Sequence, residues 1–210
     1  MKTSPIHIYC MANQDRSDRV RWLLEELEVP YVDHYLSKKK GELQNADYLK
    51  LNPMGRVPTI VDDQVTLFES GGICLYLADK FMEKGLAPRL DSPERGAYLQ
   101  WMVFSVASLE CVVAKMFTFA GKSEQQIEEI KEHVRSQCQI LKKPLNQALS
   151  QRPYLLSSGF SAADIMMAAV IPGAWEYLVD PGSPLEHYMQ RLMSRPAAIK
   201  TKVFEAPEIH

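Results

Sequence analysis

The run NPMGRVPTIVDDQVTLFES, Asn52 to Ser70, constrains this chain more than any other segment. Val57-Pro58 opens a stretch of β-preferring residues, Thr59 to Val61, and a second stretch, Val65 to Phe68, follows a tight turn at Asp62-Asp63. An antiparallel hairpin is the prediction. Proline is the one residue whose preceding peptide bond takes the cis form at modest cost. A cis bond at Val57-Pro58 would turn the backbone outward and leave the Val57 N–H and C=O to pair with a partner's main chain, as an added strand does. Glu69-Ser70 then begins a helix, where free N–H groups bind carboxylates and the acidic side chain can take an amine. A trans hairpin followed by a capped helix accounts for the same residues without any ligand.

On either side of this segment the chain changes character. The first eighty or so residues mix strand and helix signals, and the rest reads almost entirely as helix. Ile6 to Cys10 is a strand candidate. Ser17 to Leu27 sets Val20, Leu23, Leu24 and Leu27 on one helical stripe, closed by Pro30. Tyr31 to Leu36 reads as a second strand, Glu42 to Leu51 as a short helix ending before Pro53, and Ser70 to about Met82 as a third helix. EKGLAPRLDSP has the Gly, Pro and charge of a linker. Long helices are expected from about Pro93 to Phe119 and from Ser123 to Leu149. The predicted organisation is α/β followed by all-α: residues 1–83, a linker over 84–92, and a helical bundle over 93–210.

Hydrophobic residues make up 46% of 210 positions, enough for a substantial core in one large or two small domains. A net charge of −2 with intermixed signs gives no electrostatic footprint for nucleic acid, so no nucleic-acid partner is expected. MKTSPIHIYC lacks the long apolar stretch of a signal peptide, and no uninterrupted apolar run approaches membrane-spanning length. The expected location is cytoplasmic, with no membrane partner. Cys10, Cys74, Cys111 and Cys138 are widely spaced and form no CxxC, so neither metal ligation nor a disulfide framework is expected. Ser161-Ala-Ala-Asp164 carries a capping-box pattern assigned to stability.

VPTI followed by LFES resembles the glutathione-binding half of the glutathione S-transferase family. RSDRVRWLLEELEVPYV is similar to the first helix and second strand of bacterial and fungal members, RGAYLQWMVFSVASLE to their fourth helix, and FSAADIMMAAV to their sixth. The matches cover essentially the whole chain in order. The resemblance implies an N-terminal thioredoxin-like domain, a C-terminal helical domain, a homodimer, glutathione as co-substrate and no metal. It further implies conjugation of the glutathione thiol to hydrophobic electrophiles, a detoxifying transferase activity, with glutathione-dependent peroxidase activity as a possible companion. On this likeness Val57, Pro58, Glu69 and Ser70 hold glutathione, and Arg56 or Lys40 meets its glycine carboxylate.

The thiol-facing position departs from the family pattern. Serine- and cysteine-type members place that residue just before the first helix, where this chain has Gln14, and the motif reads Gln14-Asp15-Arg16-Ser17. Asp15 is read as a helix-start cap, because an anion at sulfur opposes thiolate formation. Ser17 and Gln14 remain as candidate donors to sulfur, with simple N-capping the alternative for Ser17. Tyr9 and Cys10 read as packing residues. Phe104 and Ser108, at helical spacing in the matched fourth helix, are candidates for the electrophile pocket or for plain core. A second function class stays open: a non-catalytic binding protein on the same fold, similar to the stringent starvation proteins that associate with RNA polymerase.

Overall fold

A computed structural model describes residues 4–11 and 15–205, and the chain divides into two compact units. The first runs to Gly85 and also takes in the chain from Pro196 onward. The second is Leu86–Arg195.

The first unit orders its elements as β1 (Ile6–Cys10), α1 (Asp18–Leu27), β2 (Tyr31–Tyr35), α2 (Ala46–Leu51), β3 (Thr59–Asp62), β4 (Val65–Phe68) and α3 (Ser70–Lys80). The strands lie in the order β2-β1-β3-β4. β1 runs parallel to β2 and antiparallel to β3, and β3 and β4 form the expected hairpin. This is the thioredoxin-like arrangement. Alternation along β1 buries Ile6, Ile8 and Cys10 and leaves His7 and Tyr9 half-buried on the other face. The predicted α1 stripe, Val20, Leu23, Leu24 and Leu27, is fully buried with Trp22. Each such side chain contributes about 1.5–3 kcal/mol. α1 packs on α3, whose Ile73, Cys74 and Leu77 complete the core.

The second unit opens with α4 (Arg95–Val103), which continues through a π-helical turn at Phe104–Leu109 into α5 (Glu110–Val113) and a 3-10 turn at Ala114–Phe117. One long α-helix was expected here. The backbone stays helical but changes pitch, and Ser105 Oγ caps the transition by donating to the Met102 carbonyl at 2.7 Å. This run of 23 residues, Arg95–Phe117, is by length and composition apolar enough to cross a bilayer, although charged and polar residues interrupt it. It packs on α6 (Glu124–Leu149) and α7 (Ala162–Ala168). α8 (Trp175–Leu178) and α9 (Pro184–Met193) finish the unit.

Asp164 lies at the third position of α7, fully buried. Its carboxylate accepts from the Ser161 N–H (2.8 Å), the Ser161 hydroxyl (3.0 Å), the Leu155 N–H (2.9 Å) and the Tyr188 hydroxyl (3.1 Å). Burial pushes its pKa up, and these donors oppose the shift.

α10 (Pro196–Thr201) belongs with the first unit. It packs on α1, Lys200 pairs with Glu25 at 2.7 Å, and the Phe204 ring meets Trp22 edge-on with centroids 5.4 Å apart. The boundary expected from sequence, with everything in 93–210 in one bundle, is therefore shifted at its C-terminal end. Composition marks the Gly- and Pro-rich linker but carries no sign of where a late helix returns.

Candidate functional site

Strand register brings three stretches of chain to one end of the sheet. Thr59 pairs with Tyr9 on β1 and with Phe68 on β4. Both registers end at this Tyr9–Thr59–Phe68 row, so the chain leaves β1 after Cys10, enters β3 from Pro58 and passes from β4 into α3 on the same side. The exit of β1, the entry to β3 and the start of α3 therefore share one end. The loop after β2 leaves from there too, since the Leu36 N–H donates to the Cys10 carbonyl at 2.8 Å.

The Val57-Pro58 bond is cis. The segment before it is braced from beneath by groups that sequence reading did not single out. Buried Asn52 donates from Nδ2 to the Arg56 carbonyl at 2.7 Å and to Thr59 Oγ1 at 3.2 Å, and its Oδ1 accepts from the Met54 N–H at 3.1 Å. The Tyr48 hydroxyl donates to the same Arg56 carbonyl and lies 3.0 Å from Thr59 Oγ1. Gly55 has φ 57°, and a Cβ there would sit 2.7 Å from the Leu43 carbonyl oxygen, which reserves the position for glycine. Asn52 before Pro53 was a turn signal in the sequence; Tyr48 carried none. Among the described residues neither the Val57 N–H nor its C=O has a hydrogen-bond partner. Pro58 is buried and Arg56 exposed.

Glu69 is exposed and holds φ 71°, ψ 106°, a conformation that costs a non-glycine residue about 1–3 kcal/mol. Strain of this kind persists only where surrounding structure imposes it. Ser70, buried, opens α3, and the first intrahelical bond is made by the Ile73 N–H to the Glu69 carbonyl at 2.9 Å. The N–H groups of Ser70, Gly71 and Gly72 precede that bond and so have no acceptor within the helix.

At the start of α1, Asp15 acts as the expected cap. Its carboxylate accepts from the Ser17 N–H at 2.6 Å, from the Ser17 hydroxyl, and from the Met11 N–H at 2.8 Å. Burial pushes its pKa up. Ser17 is fully buried and its hydroxyl is engaged with Asp15. Gln14 lies outside the described residues. Below the helix, buried Arg21 bonds Asp18 and lies 3.7 Å from Asp33. Cys10 donates to Asp33 at 3.6 Å, and burial, followed by the Asp33 charge, pushes its thiol up to about 12. It is an inert core thiol. Tyr9 stacks on His34 at 4.8 Å, a packing role as expected.

The structure thus gathers Val57, Pro58, Glu69 and Ser70 at one end of the first unit, with Arg56 beside them. Lys40 is exposed in the loop after β2. Phe104 and Ser108 belong to the second unit, both half-buried in the π-helical turn, with Phe104 edge-on to Trp101 at 5.4 Å.

Residues 4–79 match the family model described as glutathione S-transferase, N-terminal domain. The chain is 32% identical over 196 residues to glutathione S-transferase 3 of Schizosaccharomyces pombe, covering 87% of this chain and 81% of that protein. It is 29% identical over 188 residues to the disulfide-bond oxidoreductase YfcG of Escherichia coli, covering 85% and 86%. In fold it superposes on the URE2P6 glutathione transferase of Phanerochaete chrysosporium, solved with oxidized glutathione, with a TM-score of 0.80 at 24% identity over 94% of each chain.

Proposed function

The chain belongs to the glutathione S-transferase family, and from that premise we propose that it binds glutathione and joins the glutathione sulfur to hydrophobic electrophiles. The observation that carries this reading is the convergence of Glu69 and the start of α3 with a Val57 main chain that has no hydrogen-bond partner among the described residues. The cysteinyl unit of glutathione pairs with the Val57 N–H and C=O as an added strand. Its γ-glutamyl carboxylate is taken by the Ser70 hydroxyl and the first N–H groups of α3, and its amine by Glu69. Arg56, exposed beside this strand, meets the glycine carboxylate with a planar fork, and Lys40, exposed in the loop after β2, is the second candidate for that role.

A free thiol ionises at about pH 8.5, so only a small fraction is thiolate at neutral pH. A donor to sulfur at the start of α1, aided by the helix dipole, lowers that value. The bond from Ser17 to Asp15 occupies its hydroxyl, so the role passes to the Gln14 amide. The thiolate attacks the electrophilic carbon, a C–S bond forms, the leaving group departs with the bonding electron pair, and the thiol proton goes to solvent.

A second reading is favoured by the likeness to the E. coli oxidoreductase: the same thiolate attacks a disulfide, forming a mixed disulfide and releasing a thiolate. Retention on immobilised glutathione, followed by assays with 1-chloro-2,4-dinitrobenzene, cumene hydroperoxide and a small dialkyl disulfide, separates the readings. Conjugation is expected to dominate, Gln14→Ala to lower it with retention unchanged, and Ser17→Ala to leave it intact. Turnover of the disulfide alone would favour the second reading, retention without any turnover would leave a binding protein, and failure to be retained would remove the site.

A homodimer fits the outward apolar row of the Arg95–Phe117 run, where Leu99 and Val103 are 40% and 55% exposed and Ala107 and Cys111 continue the line. Light scattering is expected to give a mass near twice 23.9 kDa, and a monomer would refute this.

A further inference from the structure

One pair of side chains in the first unit has no part in the proposed chemistry. His7 on β1 and His34 on β2 face each other diagonally across the parallel pair, in which Tyr9 is the direct partner of His34. His7 Nδ1 and His34 Nε2 are 2.8 Å apart, part-buried, with ring centroids 5.0 Å apart and planes inclined by 38°. The Tyr9 ring stacks on His34 at an interplanar angle of 19° and fixes its orientation. Both histidines lie on the sheet face opposite the buried row of Ile6, Ile8 and Cys10. Among the described residues neither imidazole has another hydrogen-bond partner.

We propose that His7 and His34 chelate a divalent transition-metal ion, nickel(II) or copper(II), and so tie the edge strand β2 to β1. Two nitrogens 2.8 Å apart, each about 2.0–2.1 Å from a shared metal, subtend about 85° there. That is the cis angle of a square-planar or octahedral ion and falls well short of the tetrahedral angle zinc prefers. At present one facing nitrogen carries the proton of the hydrogen bond. Binding requires the tautomers with protons on His7 Nε2 and His34 Nδ1, so that both facing nitrogens offer lone pairs. No proton is lost in that exchange when both rings are neutral. No third His, Cys, Asp or Glu joins the pair among the described residues, so water completes the coordination. Because the two ligands come from separate strands, the ion binds the native sheet and not the unfolded chain, and it raises thermal stability by mass action.

The test uses the full chain without glutathione, itself a chelator, in a non-coordinating buffer, titrated calorimetrically with nickel(II), copper(II) and zinc(II) chloride. One equivalent per chain is expected, with nickel held more tightly than zinc. His7→Gln and His34→Gln should each weaken binding tenfold or more and abolish the metal-dependent rise in Tm, with His133→Gln behaving as wild type. Without any substitution, substoichiometric copper(II) should broaden the His7 and His34 ring signals in NMR spectra before those of other histidines. Wild-type affinity in both pair variants, zinc held more tightly than nickel, or broadening that begins at another histidine would overturn the proposal.

Discussion

Replacing Glu69 by glycine is expected to make the protein more stable and a poorer binder of glutathione at the same time. The gain comes from the backbone: φ 71° is accessible to glycine at no steric cost, and relieving it returns about 1 kcal/mol. For a chain of this size that is a rise in Tm of about 2–4 °C. The loss comes from the carboxylate. A charge-assisted hydrogen bond to the γ-glutamyl amine contributes about 1.5–3 kcal/mol, so affinity should fall about ten- to a hundredfold. Glu69→Ala separates the two effects, since it removes the carboxylate and keeps the strain: the same affinity loss without the stability gain. Thermal unfolding and glutathione titration read both quantities. Unchanged affinity in both variants would sink the assignment of Glu69 to the amine.

The second large effect belongs to the helical unit. Asp164→Ala is expected to lower stability by about 3–5 kcal/mol, because it strands buried donors rather than merely deleting a bond. The N–H groups of Leu155 and Ser161 lose their carboxylate acceptor in a site closed to water, and the Tyr188 hydroxyl keeps only the longer 3.4 Å contact to the Asp164 backbone carbonyl. Ser161→Ala removes a hydroxyl that donates to Asp164 Oδ2, the oxygen that also accepts from the Ser161 N–H, and should cost about 1 kcal/mol. At about 2–4 °C per kcal/mol, the Asp164 variant should melt about 10 °C lower. Equal losses in the two variants would show that the carboxylate acts as a simple helix cap.

Elements whose signals are local were legible in the residues. The β1 span Ile6–Cys10 and the Val20-Leu23-Leu24-Leu27 stripe of α1 were anticipated, since period-2 alternation and the 3.6-residue stripe are written in consecutive positions. The Asp15 cap and the inert Cys10 followed from position and electrostatics. What sequence could not supply was contact at a distance. Tyr48, which with Asn52 donates to the Arg56 carbonyl, and Thr59, whose hydroxyl both of them meet, are ordinary residues until the fold sets them together. Ser17 reads in sequence either as a donor to sulfur or as a simple cap, because its engagement depends on how Asp15 turns back over the helix start. The π-helical turn at Phe104–Leu109 has no Gly or Pro to announce it, and the sequence there reads as uninterrupted helix.

The docking of α10 on α1 changes what the chain's order means. Because the unit that begins the chain also receives Pro196 onward, the helical bundle is an insertion into the thioredoxin-like unit and not an appendage after it. A cut after Gly85 would sever that unit from its own last helix, taking Phe204 from Trp22 and Lys200 from Glu25. The segment up to Gly85 and the segment from Pro196 must therefore both be made before the first unit is whole.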